Sequence, residues 1–316
     1  MLRYLMWSLR LRRVEYRLAE VPIFLIPVFL TIDDASAFAT VPFWEGALIF
    51  FFLFAFGDLL NCLADRDLDA LYKPHLTEAV LGIGVRGVIA QATLSALFAI
   101  ALAAHLAWRL DRWILLPGCL FGLFAAYAYS IEPFRLKGRG LWQIGFYWLG
   151  LFTGPMIYTA LLFTSWPAWD VLAVAFAYGM TQTGVILVNT AEDYPEDRAM
   201  NVGTAIVALG LKRGIALALW FTAIGNTGLI AAFALLYWHA NISVPAFAAL
   251  LPLLGASAFV MGSIAQLRRQ INWAGDDEAI AAVKASARRV PLWITSVALA
   301  ALLAAVVAWW AKSPCP

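Results

Sequence analysis

The stretch Gly57-Asp58-Leu59-Leu60-Asn61-Cys62-Leu63-Ala64-Asp65-Arg66-Asp67-Leu68-Asp69 closes an apolar run that begins near residue 42. A run of that length suits a helix crossing the ~30 Å hydrocarbon core of a bilayer. Asn61, Asp65 and Asp69 stand four residues apart. A four-residue step turns a helix by about 400°, so the three share one narrow stripe. The spacing returns as Asn189, Asp193 and Asp197 in Val188-Asn189-Thr190-Ala191-Glu192-Asp193-Tyr194-Pro195-Glu196-Asp197-Arg198. Carboxylates near hydrocarbon are costly unless paired or bound to cations. Two acidic stripes in one apolar chain therefore point to a site for divalent metal.

The rest of the 316-residue chain agrees with a membrane setting. It is 63% hydrophobic and 13% charged, against about 25% charged in soluble proteins, and its mean hydropathy is +0.80. The reading is an all-α, polytopic membrane bundle. Spans are expected near 19–32, 42–64, 84–107, 113–131, 141–164, 168–189, 214–238, 244–267 and 291–311, about nine in all, with Pro22 and Pro27 bending the short first one. No soluble domain fits between them. Residues 268–290 form the longest connection, and Asp276–Lys284 within it suits a short surface helix.

Residues 1–18 carry Arg3, Arg10, Arg12, Arg13 and Arg17. With no small-residue cleavage site following, they read as a retained basic amphipathic segment on the membrane surface. Residues 19–311 then form a single integral-membrane domain, and 312–316 a short tail. Of the 22 basic residues, only Arg109, Arg112 and Lys312 fall on the side opposite the acidic motifs. The positive-inside rule makes the N-terminus and both motifs cytoplasmic, in a membrane of the bacterial inner type. A net charge of +2 gives no argument for nucleic acid. Cys62, Cys119 and Cys315 have neither pairing nor metal-ligand spacing.

Mg²⁺ takes oxygen ligands and is usually held by one or two carboxylates together with substrate phosphates and water. The two halves resemble a weak internal repeat, so the motifs are expected to face each other across a shared cavity. They would hold two Mg²⁺ ions bridged by a diphosphate. Tyr129-Ser130-Ile131-Glu132-Pro133-Phe134-Arg135-Leu136-Lys137-Gly138-Arg139-Gly140 adds three cations on the motif side. Taken alone, these are positive-inside anchors. Opposite two carboxylate stripes, Arg135 and Lys137 read as grips for phosphate oxygens, while Arg139 stays an anchor. Lys73 and Arg198 flank the motifs and are candidates for the same task. The chain has 14 Trp, 10 Tyr and 21 Phe, which either pack against lipid or shelter a carbocation by cation–π contact. Tyr129 is either a cavity or a belt residue. Asp58 either extends the acidic site or caps a buried polar network. Cys62 reads as a packing residue, and His75, His105 and His239 as structural or interfacial.

These motifs together resemble the UbiA superfamily of intramembrane prenyltransferases. Its first signature, Asn-Asp-x-x-Asp-x-x-x-Asp, is similar to Asn61–Asp69. Its second, Asp-x-x-x-Asp followed by Gly-Thr, is similar to Asp193–Asp197 with Gly203-Thr204, and its Tyr-Ser-x-Pro-Pro-x-Arg-Leu-Lys loop is similar to Tyr129–Lys137. The resemblance covers about residues 15–300. It implies Mg²⁺-dependent transfer of a prenyl group from an isoprenyl diphosphate to an aromatic or lipid acceptor, with diphosphate released. Asn61, Asp65, Asp193 and Asp197 would be the metal residues, and Asp69 would act beside them. Lys73, Tyr129, Arg135, Lys137, Asn189 and Arg198 would contact substrate.

The chain departs from the pattern at four points. Cys62 replaces an acid, Lys73-Pro74-His75-Leu76 replaces Arg-Pro-Leu, Asn189 replaces Asp, and Pro195 enters the second motif, where it is expected to unwind the helix. A terpene cyclase of the same superfamily would use the same metals without an acceptor. A cation-coupled transporter is a more distant reading, since the acidic stripes open on one side and not at the bilayer midplane.

Overall fold

Hydrocarbon offers no water to satisfy backbone N–H and C=O groups, so apolar segments of this length become helix. The computed structural model describes residues Leu2–Lys312 and contains no strand among them. Cys315 lies outside the described residues. The helices are α1 (Leu2–Leu11), α2 (Arg17–Thr31), α3 (Val41–Ala64), α4 (Arg66–Tyr72), α5 (Pro74–Ile83), α6 (Val85–Arg109) and α7 (Leu115–Ser130). Then come α8 (Leu141–Gly145), a wide π-helical stretch (Phe146–Thr153) and α9 (Gly154–Leu161), which run on as one compound helix. The remainder are α10 (Trp169–Glu192), α11 (Tyr194–Ala199), α12 (Ala205–Leu209), α13 (Leu211–His239), α14 (Leu250–Trp273), α15 (Asp276–Ala287) and α16 (Val290–Lys312).

All nine expected apolar segments are helical. Among the described residues, seven helices have the length and apolarity to cross a membrane: α3, α6, the compound helix, α10, α13, α14 with its lead-in from Val244, and α16. The chain is an integral, multi-pass membrane protein. The two shorter segments are α2, with 15 residues, and α7, with 16. At 1.5 Å per residue each reaches only about 22–24 Å. The residues 276–284 form the expected surface helix as part of α15.

The chain divides into two compact units. One contains the residues up to Leu18 with Ser36–Leu136, and the other contains Ala19–Ala35 with the residues from Lys137 onward. In the first, α3 packs against α6 and α7, and α1 lies on α5. Leu11, Leu59, Cys62, Leu76, Val80 and Val88 form a core at the end of α3 that carries the first acidic motif, with Trp7 packed against it. A Cβ on Gly82 would stand 2.5 Å from the Trp7 ring, so the absence of a side chain there seats α1. Tyr4, Leu5, Met6 and Leu9 remain exposed, as suits an interfacial amphipathic segment. Gln91 on α6 ties down its polar side, accepting from Ser8 at 2.9 Å and from Arg12 at 2.7 Å.

In the second unit, α10 is the most deeply buried of the spans and packs along α13. Their close approach depends on small residues, as in membrane helix pairs generally. A Cβ on Gly184 would stand 2.5 Å from the Thr222 backbone nitrogen, and one on Gly225 would stand 2.6 Å from Thr181 Oγ1. The π-helical stretch flanks α10 on another side, where Trp148 Nε1 donates to the Phe176 carbonyl at 2.9 Å.

This crossing leaves no room for a methyl group. Gly184→Ala is expected to lower stability by about 1–3 kcal/mol through overpacking, read as an earlier thermal unfolding midpoint in detergent. Gly262→Ala, where an added Cβ meets nothing within 4 Å, is the control. Equal midpoints for the two variants would show that the crossing is not tightly packed.

Candidate active site

Both acidic motifs break their helix at the middle aspartate. α3 ends at Ala64, Asp65 adopts φ −93° and ψ 2°, and α4 begins at Arg66. α10 ends at Glu192, Asp193 adopts φ −84° and ψ 7°, and α11 begins at Tyr194. These values lie in the sparsely populated bridge region, where active-site residues often sit. The four-residue hydrogen bonds nevertheless run through the first break. Asp65 N–H donates to the Asn61 carbonyl at 2.9 Å and Asp69 N–H to the Asp65 carbonyl at 2.8 Å. The backbone of Asn61, Asp65 and Asp69 thus stays hydrogen-bonded across the change of helix. In the second motif Asp197 N–H donates to the Asp193 carbonyl at 2.8 Å. Pro195 sits in the first turn of α11, where a missing N–H costs nothing. The expected unwinding is therefore a break at Asp193 and a clean helix restart at Tyr194, one residue before the proline.

The acids are withdrawn from solvent. Asp65, Asp69 and Asp197 are 4%, 8% and 2% exposed, while Asn61, Asn189 and Asp193 are half-buried. Burying a carboxylate demands compensation by cations or hydrogen bonds. One cation is in place: Arg135 Nη2 lies 3.8 Å from Asp65 Oδ1, and Arg135 also approaches Glu132 at 4.0 Å. Arg135 has φ 35°, and its Nε is buried without a hydrogen-bond partner, so the guanidinium retains a free donor. Tyr129 and Lys137 are half-buried, whereas Arg139 is exposed as its anchor reading requires. Lys73 caps α4, its N–H donating to the Asp69 carbonyl at 2.8 Å, and Pro74 opens α5. Arg198 is exposed, with Nη1 3.5 Å from the Tyr194 hydroxyl.

Asp58 and Cys62 both face the N-terminal segment. Arg17 Nη2 donates to Asp58 Oδ2 at 2.5 Å and also to the Arg12 carbonyl, so Asp58 belongs to a polar network that fastens the N-terminal segment. Cys62 is buried in the core with its thiol toward the Leu11 carbonyl at 3.8 Å. It packs, as expected.

The sequence reading missed a second polar chain. Gln143, 1% exposed, accepts from Ala205 N–H at 2.9 Å and donates to the Tyr147 hydroxyl at 3.0 Å. That hydroxyl is 3.2 Å from Thr190 Oγ1, next to Asn189. Gly140 N–H donates to the Gly203 carbonyl at 2.7 Å, and Thr204 caps α12 by accepting from Val207 N–H at 3.4 Å. The Gly203-Thr204 segment is thus pinned to the end of the basic loop and to α8. Lone polar side chains in apolar runs were the available signal. Lys284 of α15 donates to Glu196 Oε1 of α11 at 2.7 Å, and this bond raises the ammonium's pKa above the ordinary lysine range.

Among the described residues, no three His, Cys, Asp or Glu side chains group to hold a metal ion. The donors offered by the motifs are nonetheless a carboxamide and carboxylates, all hard oxygens, and the soft Cys62 thiol is turned away. This set fits Mg²⁺, which relies on substrate phosphates and water to complete its shell and does not need an all-protein cage.

The model of the UbiA prenyltransferase family matches residues 21–275. The chain belongs to the UbiA prenyltransferase family. It is 28% identical over 181 residues to the bacteriochlorophyll synthase 33 kDa chain of Rhodobacter capsulatus, covering 52% of this chain and 56% of that one. It is 32% identical over 155 residues to the Cereibacter sphaeroides protein of the same name, covering 48% of each. The chain thus matches about half the length of these curated relatives. In fold it is similar to a digeranylgeranylglyceryl phosphate synthase structure, with a TM-score of 0.65 and 14% identity over 96% of this chain and 99% of that one. It is also similar to a UbiA homologue from Archaeoglobus fulgidus bound to DMAPP and Mg²⁺, with a TM-score of 0.60 and 17% identity over 92% and 99%.

Gln143→Leu removes the acceptor of a buried N–H and is expected to cost about 1–3 kcal/mol. Hydrogen exchange should accelerate selectively at residues 203–207. Unchanged exchange there would show that Gln143 does not hold the Gly203–Ala205 segment.

Proposed function

We propose that this protein transfers a prenyl group from an isoprenyl diphosphate to an aromatic acceptor within the membrane, releasing diphosphate. The observation that carries this reading is the pair of matched helix breaks at Asp65 and Asp193, with buried acids around them, in a UbiA-family chain. Asn61 and Asp65, with Asp193 and Asp197, would hold two Mg²⁺ ions bridged by the diphosphate, and Asp69 and Asn189 add oxygens beside them. When bound, Mg²⁺ offsets the diphosphate charge and makes it a better leaving group.

The chain's own cations carry the rest of the binding. Arg135 and Lys137 grip the outer phosphate oxygens, Arg135 through its planar fork, and Lys73 assists at the end of α4. The 3.8 Å approach of Arg135 to Asp65 supports this role. The same guanidinium can stay beside the acid and turn its free Nε donor to phosphate. The allylic C–O bond breaks with its electron pair leaving on diphosphate. An electron pair of the acceptor forms the new bond to the allylic carbon, and the acceptor loses a proton. Tyr129 presents an aromatic ring to the cationic carbon. Relatives named for bacteriochlorophyll synthesis favour a pigment macrocycle as acceptor over a lipid, and the homologue bound to DMAPP supports the diphosphate donor. Both motifs and the N-terminus lie on the cytoplasmic side in this reading, through the bias of basic residues.

Purified protein supplied with geranyl, farnesyl or geranylgeranyl diphosphate should release diphosphate only when Mg²⁺ and an acceptor are present. Asp65→Asn/Asp193→Asn should lose at least about a hundredfold in rate, the scale of removing a dominant electrostatic group. A cyclic hydrocarbon formed without acceptor would replace transfer by cyclisation. No release with any donor and a broad acceptor panel would sink both.

A further inference from the structure

A cavity of about 280 Å³ opens in the second unit among α11, the turn between α12 and α13, and α15. Arg198, Lys212 and Arg213 line it, and Asp276 is its one carboxylate. The excess of positive charge is not spent internally. Among the described residues, Lys212 Nζ reaches only neutral carbonyls, those of Asn272 at 3.3 Å and Ala274 at 3.5 Å. Arg198 reaches only the Tyr194 hydroxyl among its hydrogen-bond partners. Arg213 has no ion-pair partner among the described residues. Gly210, with φ 78°, turns the chain into α13, and no side chain caps the first turn of that helix. The N–H groups of Leu211, Lys212 and Arg213, all on the cavity wall, therefore add to the attraction for an anion. Neither Asp193 nor Asp197 lines the cavity, although their neighbours Tyr194 and Arg198 do.

Its depth in the membrane is set by its neighbours. α13 begins here and α14 ends here, and both are spans. Trp273, the last residue of α14, is 93% exposed. Tryptophan gathers at the level of lipid headgroups. Three cations in a concave site at that level match the phosphate of an anionic lipid, whose headgroup basic pockets at span ends recognise.

We propose that this cavity binds a phosphate group at the membrane surface, supplied by an anionic phospholipid. The inference rests on the cavity's own residues and is independent of the prenyl-transfer reading. Delipidated full-length protein in detergent would be titrated with phosphatidylglycerol, and with phosphatidylcholine of the same chains, by native mass spectrometry. One phosphatidylglycerol should be retained in preference to phosphatidylcholine. Lys212→Gln/Arg213→Gln, both exposed positions, should weaken that binding by at least about tenfold, given roughly 1 kcal/mol per cation near an anionic surface. Arg268→Gln/Arg269→Gln, a basic pair outside the cavity, should leave it unchanged. Inorganic phosphate and diphosphate form the second arm. Binding of either that is lost in Lys212→Gln/Arg213→Gln, without lipid preference, would keep the phosphate site and assign it to a free ion. Equal binding of lipid and of both ions by the native protein and this variant, with matching circular dichroism, would overturn the proposal.

Discussion

The constraint on which this structure depends is the cost of leaving a polar group unsatisfied in hydrocarbon. It forces the backbone into helices and pushes irregular segments toward helix ends. It also decides where acids can stand. Asp65 and Asp193 both occupy the first non-helical residue after a long apolar helix. A carboxylate there is anchored by a span while its oxygens stay within reach of cations, loops and a hydrated ligand. Placed several turns deeper, the same residues would face a far larger penalty.

Around these ends the chain builds two different supports. At the first motif, the N-terminal helix closes over the core beside Cys62, and the Arg17–Asp58 pair fastens it. At the second, an amide–hydroxyl chain from Gln143 through Tyr147 to Thr190 holds the backbone, and Lys284 tethers α11 through Glu196. Both supports immobilise peptide segments next to the acids.

Much of this was legible in the sequence because its physics is periodic. The apolar runs gave every long helix, and the four-residue spacing of Asn61, Asp65 and Asp69 is matched by backbone hydrogen bonds from Asp65 to Asn61 and from Asp69 to Asp65. What escaped depended on contacts distant in sequence. Asp58 had two readings until Arg17, 41 residues away, was seen beside it. Gln143 stands alone as an amide in an apolar run of the sequence, and only the fold supplies its partner 62 residues on. The length of α7 was overestimated, 113–131 against Leu115–Ser130, because hydropathy does not report where a helix starts and stops. Pro195 signalled a disruption correctly but not its form, since a proline can either distort a helix or begin one.

The two four-residue hydrogen bonds that meet at Asp65 have a consequence for how such a chain can vary over evolution. Asn61, Asp65 and Asp69 are held in phase by helical pitch and not by loop closure. Inserting or deleting one residue between them would swing every downstream oxygen by about 100° around the axis. Compensation would need a bulge at a buried place. Substitution is tolerated far more readily, as Cys62 illustrates by standing off the stripe and packing into the core. Length changes would meet less resistance at the exposed turns at the opposite ends of the spans, such as those around Asp111 and Asn241. The chemistry-bearing end is thereby constrained in length, with side-chain freedom only at positions off the stripe, and the other end is freer in length.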